Sequence, residues 1–166
     1  MTVKYVISLF GIFSSIFLTG CTAGISQQSR SMVTYNGTFS ALQKTPDVYK
    51  GEVVMLGGRI IEAKVGSSLS EITVLQLALD SNGRPVHPDQ SGGRFIVQAK
   101  KFLDPAIYQK DMYLTVVGTL KGSQIGSIGG FRYAHPLIEG IEIKLWPNTT
   151  RTSPAIHFGI GVGTSF

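Results

Sequence analysis

Between Glu52 and Trp146 the chain is written mostly in period two, and that alternation restricts it to short strands that bury one face each. In "EITVLQLAL", Glu71 to Leu79, one face carries Ile72, Val74, Gln76 and Ala78 and the other Thr73, Leu75, Leu77 and Leu79; the second set is assigned to the core. "EVVMLGGRIIEAKV", Glu52 to Val65, is a run rich in Val and Ile in which Gly57 and Gly58 predict a bulge or a sharp bend in one long strand, the bulge having positive φ at Gly57. "RFIVQAK", "MYLTVVGTL" and "LIEGIEIKLW" supply three more strands, the last alternating Ile141, Ile143 and Leu145 against Glu142 and Lys144. "DSNGRPVHPDQSGG", Asp80 to Gly93, is turn chemistry with Asn82 and Gly83 as a hairpin pair. Asp104 and Pro105 predict a capped helical turn between the third and fourth strands. "KGSQIGSIGGFRYAHP", Lys121 to Pro136, reads as a glycine-rich hairpin projecting between the fourth and fifth. Five strands with a short helix between the third and fourth match an OB-like antiparallel barrel; an open antiparallel β-sandwich is the alternative.

The beginning of the chain obeys a different rule. Lys4 is followed by "YVISLFGIFSSIFL", an uncharged apolar run of about 14 residues that closes on the small residues Thr19 and Gly20. A membrane-spanning helix wants about 20 apolar residues, and the polar "TAGISQQSRS" arrives before that length is reached. The order of charge, apolar middle and small residues is that of a secretory signal peptide over residues 1–20.

The one cysteine of the chain stands immediately after it. "LTGC", Leu18 to Cys21, resembles the lipobox of bacterial lipoproteins. The resemblance implies diacylglyceryl transfer to the Cys21 sulfur, cleavage between Gly20 and Cys21, and acylation of the new amine. Thiolate chemistry is what such a transfer needs, and the absence of a second cysteine avoids oxidation in an exported protein. Two or more acyl chains give stable anchoring where one gives only marginal binding. Retention at the inner membrane goes with Asp after the lipidated cysteine; Thr22 occupies that position, which implies the outer membrane.

The formal charge of +5 comes from 15 basic and 10 acidic side chains, and removing residues 1–20 takes only Lys4 from that balance. Basic residues are scattered singly apart from Lys100 and Lys101, the pattern of a solvated mixed surface and not of a nucleic-acid groove. Candidate chemistry is sparse. His87 and Asp89 in "HPD" are too few for a metal site, His135 and His157 stand apart, and no Gly-x-Ser-x-Gly elbow is present. Asp80, Asp89 and Asp104 sit at turn or cap positions, where local hydrogen bonds account for them. "GIGVG", Gly159 to Gly163, lacks the lysine and following helix of a phosphate loop. No enzymatic activity, metal or cofactor is expected. "FRYAHP" is the aromatic and basic edge of the projecting hairpin, and Phe131, Arg132, Tyr133 and His135 are assigned to partner contact.

Taken together, "TPDVYKGEVVMLGGRI", "LDSNGRP", "FLDP", "VVG" and "IEIKLW" resemble, in order, the Slp family of starvation-inducible outer-membrane lipoproteins of Gram-negative bacteria, over roughly residues 45–147. The resemblance implies a lipid-anchored outer-membrane protein and little mechanism. The organisation expected is a signal peptide at 1–20, a lipidated N-terminus and flexible tether at 21–36, a β-barrel domain at 37–147 and a C-terminal tail at 148–166. In that tail Phe158, Ile160, Val162, Thr164 and Phe166 alternate with glycine or serine, as an edge strand or a flexible end would. Two functions fit: a non-enzymatic envelope protein with a structural or stress-related role that touches other envelope proteins, or a lipid-anchored, periplasm-facing module binding a small molecule or metal ion. Nucleic acid is not an expected partner.

Overall fold

The computed structural model describes residues 24–147; Gly20, Cys21 and the 148–166 tail lie outside them. Two short helices, α1 (Gln27–Ser31) and α2 (Phe39–Lys44), and a 3₁₀ turn (Pro46–Tyr49) precede five strands. These are β1 (Val53–Val65), β2 (Ser70–Leu79), β3 (Pro85–Ala99), β4 (Tyr113–Ile128) and β5 (Phe131–Trp146). The strands close in the order β1-β2-β3-β5-β4, and β4 returns to β1. All neighbours are antiparallel except β3 and β5, which run parallel through Ile96↔Leu137 and Val97↔Ile138. The protein is therefore all-β with a closed five-stranded barrel, which replaces the sandwich alternative.

The interior is filled by one face of each strand: Val54, Leu56 and Ile60 of β1, Ile72 and Val74 of β2, Phe95 and Val97 of β3, Leu114, Val116 and Leu120 of β4, and Ile138 of β5. Thr38 starts α2 because its side chain accepts from the Ala41 N–H, and Pro46 ends it by opening the 3₁₀ turn. Leu42 of α2 and Leu103 join the same core, and the Phe39 ring meets Phe95 edge-on at 6.1 Å. Helix and connection thus cover apolar side chains that the strands leave open.

Several expectations are corrected by register. In β2 the core face is Ile72 and Val74, not the Thr73, Leu75 and Leu79 set. A bulge against β3 between Leu75 and Leu77 reverses the alternation, so that only Leu77 of the assigned set is buried, and it packs outside the central cluster. In β1 the bulge lies between Ile60 and Glu62, and Gly57 does not have positive φ. Gly57 and Gly58 are there for space. A Cβ on Gly57 would come within 2.6 Å of Leu79 and 2.9 Å of the Leu114 carbonyl, and one on Gly58 would overlap the Leu75 carbonyl oxygen. Strand β3 starts inside the segment read as turn, at Pro85, because Ala78↔Val86 and Leu79↔Pro85 extend the hairpin beyond Asn82 and Gly83. The Asp104–Tyr108 segment is one hydrogen-bonded turn and not a helix; the Asp104 carboxylate accepts from the Ala106 N–H and its carbonyl from Tyr108.

Candidate functional site

The longest elements, β4 and β5, separate their far halves from the barrel as a two-stranded arm. Pairing runs from Ser123↔Pro136 to Ile128↔Phe131, and Gly129 and Gly130 make the turn with φ of 57° and 86°. Such a turn matches the twist of the flanking strands and requires residues that tolerate positive φ. At the foot of the arm Lys100 and Lys121 both bind Glu139, the second at 2.6 Å, and their hydrogen bonds hold its carboxyl at about 2.

The four residues assigned to partner contact divide. Phe131 is 70% exposed, Tyr133 44% exposed, and Arg132 is exposed between them. Ile125, also exposed, sits across the ribbon opposite Ala134. His135 is only 5% exposed and is removed from the contact set: period two points it to the same face as Tyr133, but nearer the barrel, where the arm covers it. It lines a polar cavity of about 200 Å³ with Glu62 and Lys64 of β1, Glu71 and Thr73 of β2, Arg94 of β3, and Gln124 and Ser127 of β4. Its Nδ1 has no hydrogen-bond partner. Burial pushes the imidazole pKa below its ordinary 6.5; a hydrogen bond with the Arg94 backbone opposes this and the Arg94 charge adds to it. His87 stands on β3 with φ of 55°, and among the described residues no group of three His, Cys, Asp or Glu side chains is placed to hold a metal ion. His157 lies outside the described residues.

Sequence reasoning missed a second constellation, formed by residues 24–35. This segment, expected to be flexible tether, is a strap bound to the outside of the barrel. Ser26 caps α1 through the Ser29 N–H, and its own N–H and hydroxyl donate to Glu142 at 3.1 and 2.6 Å. Burial would raise the Glu142 carboxyl, but hydrogen bonds from Ser26 and Ser29, together with Lys144, outweigh it and hold it below 4.5. The Arg30 guanidinium donates to the carbonyls of Ile25, Ser81 and Asn82. Further on, the Thr34 and Tyr35 N–H groups both donate to the Val53 carbonyl.

Ile25, only 4% exposed, packs beside the β2–β3 turn. Below that turn the Trp146 indole N–H donates to the Thr115 hydroxyl at 2.9 Å, and Thr115 in turn donates to the Gly83 carbonyl. Arg84 and Lys144 lie over the Trp146 ring at 5.8 and 5.9 Å. An open groove of about 740 Å³ runs along this surface from Gly24 to Trp146. The signals in the sequence were Ser26 and Thr38, each three residues before the N–H it caps, and an isoleucine in a polar stretch.

The described residues thus form a closed barrel with a two-stranded arm and an N-terminal strap. Residues 18–160 match the outer membrane lipoprotein Slp family, and the chain belongs to it. An uncharacterized protein of Haemophilus influenzae is 30% identical over 87% of this chain and 78% of its own length. Two Escherichia coli relatives are the outer membrane protein Slp, 27% identical over 81% of this chain and 72% of the relative, and the uncharacterized lipoprotein YeaY, 26% identical over 83% and 70%. The protein is an outer membrane lipoprotein of the Gram-negative type.

Proposed function

We propose that this is a non-enzymatic envelope protein, acylated at Cys21 on sulfur and amine after cleavage behind Gly20, whose arm engages another envelope protein in a structural or stress-related role. The observation that carries the reading is the exposure of Phe131 and Tyr133 around Arg132 on a ribbon that leaves the barrel. Large apolar side chains grouped on one projecting edge mark contact surfaces, with Tyr and Arg among the residues enriched there. The family supports the membrane location, and the lipobox supports the attachment point. Labelled fatty acid should enter the wild type and be absent from Cys21→Ser, and density separation should place the wild type with outer membranes. A photocrosslinker at position 131 should capture a discrete envelope protein that the same probe at Lys64 does not; equal capture from both positions would reject the arm as a contact site.

A second reading, a module for a small polar ligand, is favoured by one feature: the His135 cavity with its unpartnered buried Nδ1. A ligand held there raises the melting temperature of the wild type by mass action and leaves that of His135→Phe unchanged.

A further inference from the structure

We propose that the strap holds one particular face of the barrel against the bilayer, and that this face, the groove lined by Gly24, Ile25, Arg30, Asn82, Arg84 and Trp146, packs on lipid headgroups. The inference rests on acylation of Cys21. If the chain is anchored there, the free tether is far shorter than the composition of residues 21–36 suggests. Ile25 is already buried, Ser26 is bound to Glu142, and Arg30 is bound to three carbonyls. Only Thr22 and Ala23 separate Cys21 from Gly24. Fully extended, that length of chain reaches about 11 Å. Acyl chains in the hydrocarbon fix the cysteine at the headgroup layer, itself about 5–8 Å deep on each side of the bilayer. Gly24 therefore sits in that layer or immediately outside it.

The chemistry of the groove suits the location. Arg30, Arg84 and Lys144 place cationic groups around Trp146, and anionic headgroups attract such a surface. The groove's acidic member, Asp80, accepts the N–H groups of Asn82 and Arg84 and keeps its charge, so the cations outnumber it without cancelling it. Orientation follows from β5. Trp146 stands in the groove at one end of β5 and Phe131 at the other, up to about 50 Å of extended chain away, so the proposal puts the tip of the arm outside the headgroup layer.

The chain has a single tryptophan, and it lies in this groove, so the protein reports its own orientation. Full-length acylated protein, extracted from membranes, is reconstituted in vesicles of phosphatidylethanolamine and phosphatidylglycerol with a fraction of headgroup-nitroxide lipid. Trp146 emission should be quenched relative to unlabelled vesicles. Phe131→Trp in a Trp146→Phe background moves the reporter to the arm, where emission should be unaffected. Protein that floats with the vesicles while Trp146 stays unquenched overturns the proposed face, and so does quenching at position 131 without quenching at 146. If the double variant does not fold, the wild-type measurement alone decides. Failure to float at all is a different result: it refutes acylation and not the placement of the groove.

Discussion

The two ends of β5 use the same kinds of residue for opposite purposes. At Trp146 an aromatic ring is 6% exposed, its N–H is satisfied by Thr115, and cations cover its face. At Phe131 a phenyl ring is left to solvent beside a turn of two glycines. The glycines differ in the same way. Near the Trp146 end Gly57 and Gly58 are required because neighbouring chains occupy the space of a Cβ, whereas a Cβ at Gly129 or Gly130 would meet nothing within 4 Å and only φ restricts them. At one end of the strand the aromatic ring is packed into the fold, and at the other it is left to solvent.

The contrast is broken most severely by Gly58→Ala. The added methyl overlaps the Leu75 carbonyl, a backbone atom in the paired strand that cannot swing aside, so β1 and β2 must separate. A loss of about 4 kcal/mol or more is expected in urea unfolding of the mature protein. Gly130→Ala, in open space, should cost about 1 kcal/mol through its positive φ alone. Equal losses would show that the two glycine classes are not distinct.

Trp146→Ala follows at about 3–4 kcal/mol, from a lost buried ring and an orphaned Thr115 contact. Because the ring lies in the groove that also holds Gly24 and Ile25, hydrogen exchange across residues 24–35 should accelerate in this variant.

The strap itself is tested by Glu142→Gln, at about 1–2 kcal/mol, since two charge-assisted hydrogen bonds from Ser26 become neutral ones. Its pH dependence has a definite sign. The folded carboxyl is depressed below 4.5, so its contribution is present above that pH and is lost as pH falls through the folded value. Exchange protection of residues 24–35 should therefore decline below pH 4.5 in the wild type, and lose this acid step in Glu142→Gln.

What the sequence disclosed and what it hid divide along a physical line. That β4 and β5 are strands, and that the chain turns at Asn82–Gly83, depends on neighbours in sequence and was legible, but Ile141, read in line with Ile143 and Leu145, is exposed because the pairing with β4 shifts between Gly140 and Glu142. The strap was not legible, because Ser26 finds its partner 116 residues away, and a polar stretch that bonds to remote groups has the same composition as one that bonds to water. The face of β2 was misassigned because Thr73, Leu75, Leu77 and Leu79 were read as one face, whereas the pairing with β3 shifts between Leu75 and Leu77 and again between Leu77 and Ala78, and alternation carries no mark of where it resets. His135 was placed with Phe131 and Tyr133 by its position in "FRYAHP". Period two does put the three on one face, but only the fold shows that His135 is buried in a cavity with β1, β2 and β3 while Phe131 and Tyr133 stay exposed.

The smallest effect on stability belongs to the arm's tip, and that smallness is its diagnostic value. Phe131→Ser and Tyr133→Ser remove exposed apolar surface, leave β4–β5 pairing untouched and should change unfolding free energy by no more than about 0.5 kcal/mol. Capture through a crosslinker placed at the neighbouring Arg132 should nonetheless fall sharply in the double variant. If the tip existed only to finish a sheet, both measurements would stay level; if it were hidden core, both would drop together. Loss of capture with stability preserved is the pattern that separates a contact end from the structural end at Trp146.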